Sequence, residues 1–394
     1  MRMCMVAYAF YENDTRIRRY AELLIAKGVQ IDVIALRQKG QSRFEAIGGA
    51  NVYRIQERVV DEKRKWDYFF RVLLFFIRSF FFLSVQHMRS SYALVHVHSV
   101  PDFEVFAAMV PKLTGAKVIL DIHDLVPEFY ASKFDVSQDS FIIRALMFLE
   151  KICCTFSDHV IISNDLWAKK LCERSVKPAK CTALINYPDL KIFSRPEGYL
   201  RSDRYFSLIY PGSLNHHQGL DIAIKAMAIV KDKIPDVRLH IYGDGPEKIN
   251  LSAQITELKL DNIVQLHDPL SLSLIADQMA SSDAGVVPKR SDGFGNEAFS
   301  TKVMEFMAMG VPVIVSDTKI DRFYFNESLV MFFKSGDECD LAEKIVTLYH
   351  SQVIRQQLVD NSLQFIKENN WNTKERIYFR IINSIFGTSI IPEA

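Results

Sequence analysis

The stretch NEAFSTKVMEFMAMGVPVIVS, residues 296–316, sets two carboxylates, Glu297 and Glu305, on either side of the start of a short helix. Ser300 suits an N-cap, the helix is expected from about Thr301 to Met309, and Gly310 followed by Pro312 ends it before the buried strand VPVIVS. The N–H groups of Ala298, Phe299, Ser300 and Thr301 are then expected to be free at the positive end of the helix dipole, where an anion is stabilised. Lys302, Lys289 and Arg290 can add full positive charge, and Glu305 falls one turn down on the face of Thr301 and Lys302. A carboxylate only accepts hydrogen bonds, so its partners should be hydroxyls. Vicinal hydroxyls on the two sides of a diphosphate would satisfy two acids at this spacing.

The strand VPVIVS belongs to a pattern that runs along the whole chain. CMVAYA, QIDVIAL, ALVHVHS, KVILDI and HVIIS alternate with helical segments in the first half. FSLIYPGS, VRLHIYGDG, NIVQLHD and DAGVVP do so in the second, with helices such as GLDIAIKAMAIVKDK between them. This alternation predicts parallel α/β sheets. A length of 394 residues exceeds the roughly 250–300 at which a single core stops growing, so two domains are expected. The segment INYPDLKIFSRPEGYLRSDR carries prolines and no sustained period, which marks a linker. The expected division is a Rossmann-like domain at 1–186, a linker at 187–205, a second Rossmann-like domain at 206–370, and a C-terminal helix within 371–394 packing back toward the first domain. Open parallel sheets bind ligands beyond the carboxyl ends of their strands, and the loops there are rich in Gly, His, Asp and basic residues.

Lys+Arg number 48 against 47 Asp+Glu, a net charge of +1 that provides no global field for gathering nucleic acid. Six cysteines without CxxC pairs indicate neither a zinc site nor a disulfide framework and suit a reducing cytoplasm. The N-terminal MRMCMVAYAF reads as a first strand rather than a signal peptide, so a cytoplasmic location is expected. In RKWDYFFRVLLFFIRSFFFLSVQHMR, residues 64–89, Arg71 and Arg78 interrupt the apolar run before it reaches the ~18 residues of a membrane span. Arg64, Arg71 and Arg78 fall on one helical face. The pattern fits a helix lying on a membrane surface, and equally a core helix whose arginines reach solvent.

With the following FMAMGVPVI, the Glu297 and Glu305 pair resembles the nucleotide-sugar motif of the family 4 retaining glycosyltransferases of the GT-B fold. YPGSLNHHQGLDIAIKA is similar to that family's Gly-rich turn, LHIYGDGPE to its Gly-x-Gly-Pro turn, and VIISNDLW with INYPD to the end of its first domain. VVPKRSDGFGNEAFSTK resembles in particular enzymes that build bacterial surface polysaccharides. The resemblance implies two Rossmann-like α/β/α domains facing each other across a cleft. By position, it implies that Glu305 binds ribose hydroxyls, that Glu297 holds the transferred sugar, and that Ala298, Phe299 and Ser300 offer N–H groups to sugar and diphosphate. Gly212 and Ser213 are to border the diphosphate, Gly243 and Gly245 to make room for the nucleotide, the 266–270 loop with His267 to meet the base, and His123 of DIHD to face the donor sugar. Glycine turns and strand-end histidines also serve purely structural ends, and His98 is weighed in the same way.

Two departures stand out. The family's basic pair around the Gly-rich turn is replaced by Ser213 and Gln218, so Lys302, Arg290 and Lys289 are the candidate replacements. The first loop reads NDTRIRR instead of carrying Gly-Gly, which directs attention to Arg16 and Arg18 as groups reaching the cleft or acceptor, or else lining a solvated first turn. The implied reaction is retaining transfer of a hexosyl or related sugar from a nucleotide-diphosphate sugar to a hydroxyl acceptor, such as a lipid-linked or growing saccharide at the inner membrane face. No DxD-like cluster asks for a metal and no further cofactor is implied. The alternatives are a nucleotide-sugar epimerase on the same fold and a non-catalytic partner protein at the membrane. A nicotinamide dehydrogenase is disfavoured because AYAFYEND stands where GxGxxG would follow the first strand.

Overall fold

Strands buried on both faces read as near-continuous apolar runs, and the segments MCMVA, IDVIAL and VILDI are buried in this way at the centre of a parallel sheet. The computed structural model describes residues 1–58, 65–134, 136–195 and 205–391. It divides into two compact units, one of Met1–Ile185 with Glu375–Ala394, the other Asn186–Lys374. Residues 196–204 of the expected linker, and Arg64, lie outside the described residues.

The strands of the first unit are β1 (Arg2–Ala7), β2 (Gln30–Arg37), β3 (Phe44–Ile47), β4 (Ala50–Glu57), β5 (Leu94–Ser99), β6 (Lys117–Ile122), β7 (His159–Ile162) and β8 (Cys181–Ala183). Their order is β3-β4-β2-β1-β5-β6-β7-β8. The pairings are parallel except that of β3, which forms an antiparallel edge on β4. The steps from β4 to β5, β5 to β6 and β6 to β7 all run the same way along the sheet. Right-handed crossovers therefore place the enclosed segments on one face: the helix Lys65–Arg89, the turn and helix of 102–113, and the helices Val126–Phe134 and Phe141–Phe156. The step from β1 to β2 runs the opposite way, which puts the helix Thr15–Ala26 on the other face. There Tyr20 stacks on Tyr378 of the helix Trp371–Phe386 at 4.2 Å between ring centroids.

Among the described residues, the helix segment Tyr68–Arg89 is long and apolar enough to cross a membrane. One stripe of it, Val72, Phe75, Ser79 and Leu83, is nevertheless buried, and the Arg71 carbonyl accepts from Gln56 of β4 at 2.9 Å. This helix is a layer of the first unit, with a second face left outward.

The second unit has β9 (Phe206–Pro211), β10 (Val237–Tyr242), β11 (Val264–His267), β12 (Ala284–Val287), β13 (Val313–Ser316) and β14 (Met331–Phe333), all parallel, in the order β11-β10-β9-β12-β13-β14. That is the doubly wound dinucleotide-fold order, whose topological switch lies between β9 and β12. Leu208, Leu239, Ile241 and Val286 pack against Ile224, Met227, Leu341 and Ile345 of the flanking helices to form its core. The loops after β9 and β12 thereby meet at the place where such sheets hold ligands.

Candidate functional site

The loops after β9, β10 and β11 are joined by their main chains. Gly212 N–H donates to the Tyr242 carbonyl at 2.8 Å, Leu214 N–H to Asp244 at 2.9 Å, and Gly243 N–H to His267 at 3.0 Å. A side chain on Gly243 would collide with the Gly212 carbonyl, so this closeness requires glycine. Gly212 has φ +145, and a Cβ there would lie 2.7 Å from the Lys302 ammonium. Lys302 thus stands directly over the Gly-rich turn, 5.3 Å from the centroid of the Tyr210 ring. Burial lowers its pKa, Glu305 opposes that, and Lys289 adds to it. Ser213 is exposed, and its carbonyl accepts from the Tyr210 hydroxyl at 3.0 Å. Gly245 sits where a Cβ would press on the Leu214 main chain. His267 stacks on Tyr242 at 4.4 Å and lies 3.1 Å from His240.

Lys302 is the second residue of the helix Thr301–Ala308. Ser300 occupies the N-cap in extended conformation, but its hydroxyl makes no capping bond and is buried without a partner among the described residues, contrary to the expected cap. A second correction concerns Ala298, whose N–H is engaged by the Phe294 carbonyl at 3.0 Å and is not free. Among the described residues, no protein acceptor meets the N–H groups of Phe299, Ser300, Thr301 or Lys302. The donor set therefore begins one residue later than expected and includes Lys302 itself.

The three candidate cations separate clearly. Lys289 is buried, with its ammonium 2.8 Å from Asp321 and 2.8 Å from the Ala298 carbonyl, so it braces the 296–300 turn instead of facing an anion. Arg290 grips Asp221 at 2.6 Å and reaches the His216 carbonyl at 3.3 Å, tying β12 to the 216–219 turn. Lys302 alone among these has no carboxylate within 4 Å among the described residues. Glu305 is half-buried on the same helix, close enough to act on Lys302 electrostatically. Glu297 is half-buried and pairs with Lys319 at 2.8 Å. Lys319 was missed in the sequence. Its signal was Thr318, which caps the helix Lys319–Tyr324 and so aims the first residue of that helix at Asn296, whose side chain accepts from Lys319 N–H at 2.8 Å.

In the first unit, Arg16 is neither at a surface turn nor free for a ligand. It is buried and forks Asp121 at 2.7 and 2.8 Å, and it donates to the Leu184 carbonyl at 2.8 Å. Arg18 is half-buried and pairs with Glu22 at 3.3 Å. Asp121 gathers three imidazoles: His98 at 3.4 Å, His96 at 3.7 Å and His123 at 3.7 Å. Burial would raise the Asp121 pKa, but Arg16 and the imidazoles outweigh it and hold the carboxyl well below its usual range. Burial keeps His98 and His96 neutral by lowering their pKa values. His98 is enclosed, and only His123, 26% exposed and 3.3 Å from His98, reaches the surface. The set His96, His98 and Asp121 has the spacing of a metal site. Its carboxylate oxygens are already taken by a guanidinium, so the donor set does not suit a further cation.

The chain has counterparts among known proteins. The family model described as Glycosyl transferase 4-like domain matches residues 14–186, and the one described as Glycosyl transferases group 1 matches residues 195–365. The phosphatidyl-myo-inositol mannosyltransferase of Mycobacterium leprae is 25% identical over 203 residues, 51% of this chain and 52% of that protein. Matches to the first curated relatives take in 36% to 52% of their length. Sucrose-phosphate synthase from Thermosynechococcus elongatus shares the fold with a TM-score of 0.80 at 16% identity, covering 98% of this chain and 99% of that one. HepE of Anabaena in complex with UDP-glucose superposes with a TM-score of 0.71 at 14% identity, covering 98% and 99%.

Proposed function

Because the chain belongs to the glycosyltransferases of the GT-B fold, we propose that it moves a sugar from a nucleotide-diphosphate sugar to a hydroxyl acceptor with retention at the anomeric carbon. The observation that carries this reading is the Lys302 ammonium over the Gly212 turn at a helix N-terminus, with Glu305 one turn further on. A diphosphate would sit against Lys302 and the open N–H groups of Phe299, Ser300 and Thr301. Glu305 would take the ribose hydroxyls, and Glu297, fixed by Lys319, those of the sugar. The anomeric carbon–phosphate oxygen bond breaks as the acceptor oxygen bonds to the same face. The departing phosphate oxygen takes the acceptor proton, so the protein contributes positioning and charge.

The replacement of the family's basic pair by Ser213 and Gln218 is what leaves a non-catalytic partner as an alternative. Lys302 supplies a cation at the same turn, which supports catalysis instead. The complex of HepE with UDP-glucose supports a donor of this class. A lipid-linked or growing saccharide is the proposed acceptor, at the inner face of the cytoplasmic membrane. The mannosyltransferase relative named for a phosphatidyl acceptor supports a membrane-side substrate.

Offering a panel of nucleotide sugars with a membrane lipid extract, and weighing the products by mass spectrometry, tests the reading. A glycosylated lipid is expected. Donors that are neither bound nor consumed would sink it. Glu305→Ala should weaken donor binding by roughly ten- to a hundredfold, because a charge-assisted bond to hydroxyls is lost. Unchanged donor affinity by calorimetry would remove Glu305 from the site.

A further inference from the structure

The topology puts residues 65–89, 102–113 and 141–156 on one face of the first sheet, and among the described residues each of these segments exposes large apolar side chains. Along the first helix, Phe81 is 63% exposed and Met88 71%, with Phe70, Leu74, Ile77 and Val85 also outward. The 102–108 turn packs between the two helices: Phe103 meets Phe76 edge-on at 5.7 Å, and Phe106 meets Phe156 at 5.1 Å. Leu113, just beyond it, is 81% exposed. On the second helix, Phe141 is 84% exposed and Phe148 67%, flanked by Ile142 and Ile152. Isolated exposed apolar residues are ordinary, but a set shared by three segments packed on one another marks a docking surface.

The charges on these segments say what docks. Among the side chains described on these segments, which on the first helix begin at Tyr68, the acids Asp102, Glu104 and Glu150 are all buried. The outward or half-buried cations are Arg71, Arg78, Arg89, Arg144 and Lys151, together with Lys112, which pairs with Asp158. Asp139, just before the second helix, is exposed. Apolar side chains bordered by cations suit the headgroup and upper acyl region of an anionic bilayer. The first helix cannot also cross that bilayer, because Val72, Phe75, Ser79 and Leu83 commit one stripe of it to the core.

We propose that helices 65–89 and 141–156, with the 102–113 segment between them, form one monotopic surface that seats the first unit on an anionic lipid bilayer. This deepens the membrane-side reading of the acceptor above. It fails separately from that reading, because vesicle binding is measured without donor or acceptor.

The test is co-sedimentation of the full chain with phosphatidylcholine vesicles, with and without about a third phosphatidylglycerol. Wild-type protein should pellet with the anionic vesicles at low salt and be released as salt rises. Phe141→Ser with Phe148→Ser should weaken binding roughly tenfold or more, as should Phe81→Ser with Met88→Ser. These side chains are outward, so thermal midpoints should not move, which separates lost docking from lost folding. Arg144→Glu with Lys151→Glu should abolish the preference for anionic lipid. Full recovery in the supernatant overturns the proposal, as does equal binding to neutral vesicles. If only the first-helix variants lose binding, the two-helix surface is overturned. A lipid-free dimer broken by the same substitutions would assign the face to a second copy of the chain instead.

Discussion

In the first unit, Arg16 meets Asp121 through two hydrogen bonds at 2.7 and 2.8 Å and a carbonyl through a third, with both partners buried. In the second, Lys302 stands over a glycine turn, half-buried, beside N–H groups that no acceptor among the described residues meets. A buried ion pair persists only if it is fully matched, since desolvation otherwise exceeds its attraction. A cation held near unmatched donors is an electrostatic mismatch that an anion from outside the chain would relieve. Lys289 shows the same contrast within one unit: thirteen positions before Lys302, it is matched by Asp321 and the Ala298 carbonyl and supports the turn it cannot serve chemically.

The contrast makes different demands on the two sets of residues. Asp121→Ala strands the Arg16 guanidinium in the core and should destabilise the protein by about 3–5 kcal/mol, read as a fall in the chemical-denaturation midpoint. Only a small loss would mean that Arg16 finds solvent and that the pair is not structural. Lys302→Ala should leave that midpoint within about 1 kcal/mol while lowering kcat by about 10²–10³. Retained turnover would return the charge role to some other group.

A pH-dependent effect concerns Glu104, which is buried and whose pKa is pushed up to about 8 by burial, with only the Ser79 hydroxyl opposing. The folded state then holds a proton that the unfolded chain releases above about 4.5, so stability falls as pH rises from about 4.5 toward 8. Glu104→Gln removes this dependence. Its advantage over wild type should grow by at most about 1.4 kcal/mol per pH unit in that window and then level off. A difference independent of pH would show that Glu104 does not titrate on unfolding.

The sheets were readable because parallel strands advertise themselves as apolar runs such as VILDI and VIVS, and their order follows from short right-handed connections. The antiparallel β3 was not, since FEAI is an exposed edge with no apolar run to mark it. Of the candidate site, Lys302 and Glu305 were legible from one local motif. The separate fates of Lys289, Arg290 and Lys302 were not, because each depends on a partner distant in sequence: Asp321, Asp221 and Gly212 respectively. Arg16 finds Asp121 across 105 positions, a pairing that no window along the chain exposes. The free N–H groups were placed one residue early because Phe294 turns back to cap Ala298, a loop geometry that motif spacing does not encode.

The Tyr378 hydroxyl lies 2.8 Å from His96, and its ring covers Tyr20, so the last helix closes the polar centre of the first unit. A fragment ending near residue 186 would leave those rings facing water and His96 without its phenol. Anyone dividing this protein for separate expression, labelling or complementation would need to carry the C-terminal helix with the N-terminal piece, by circular permutation or as a second strand supplied in trans.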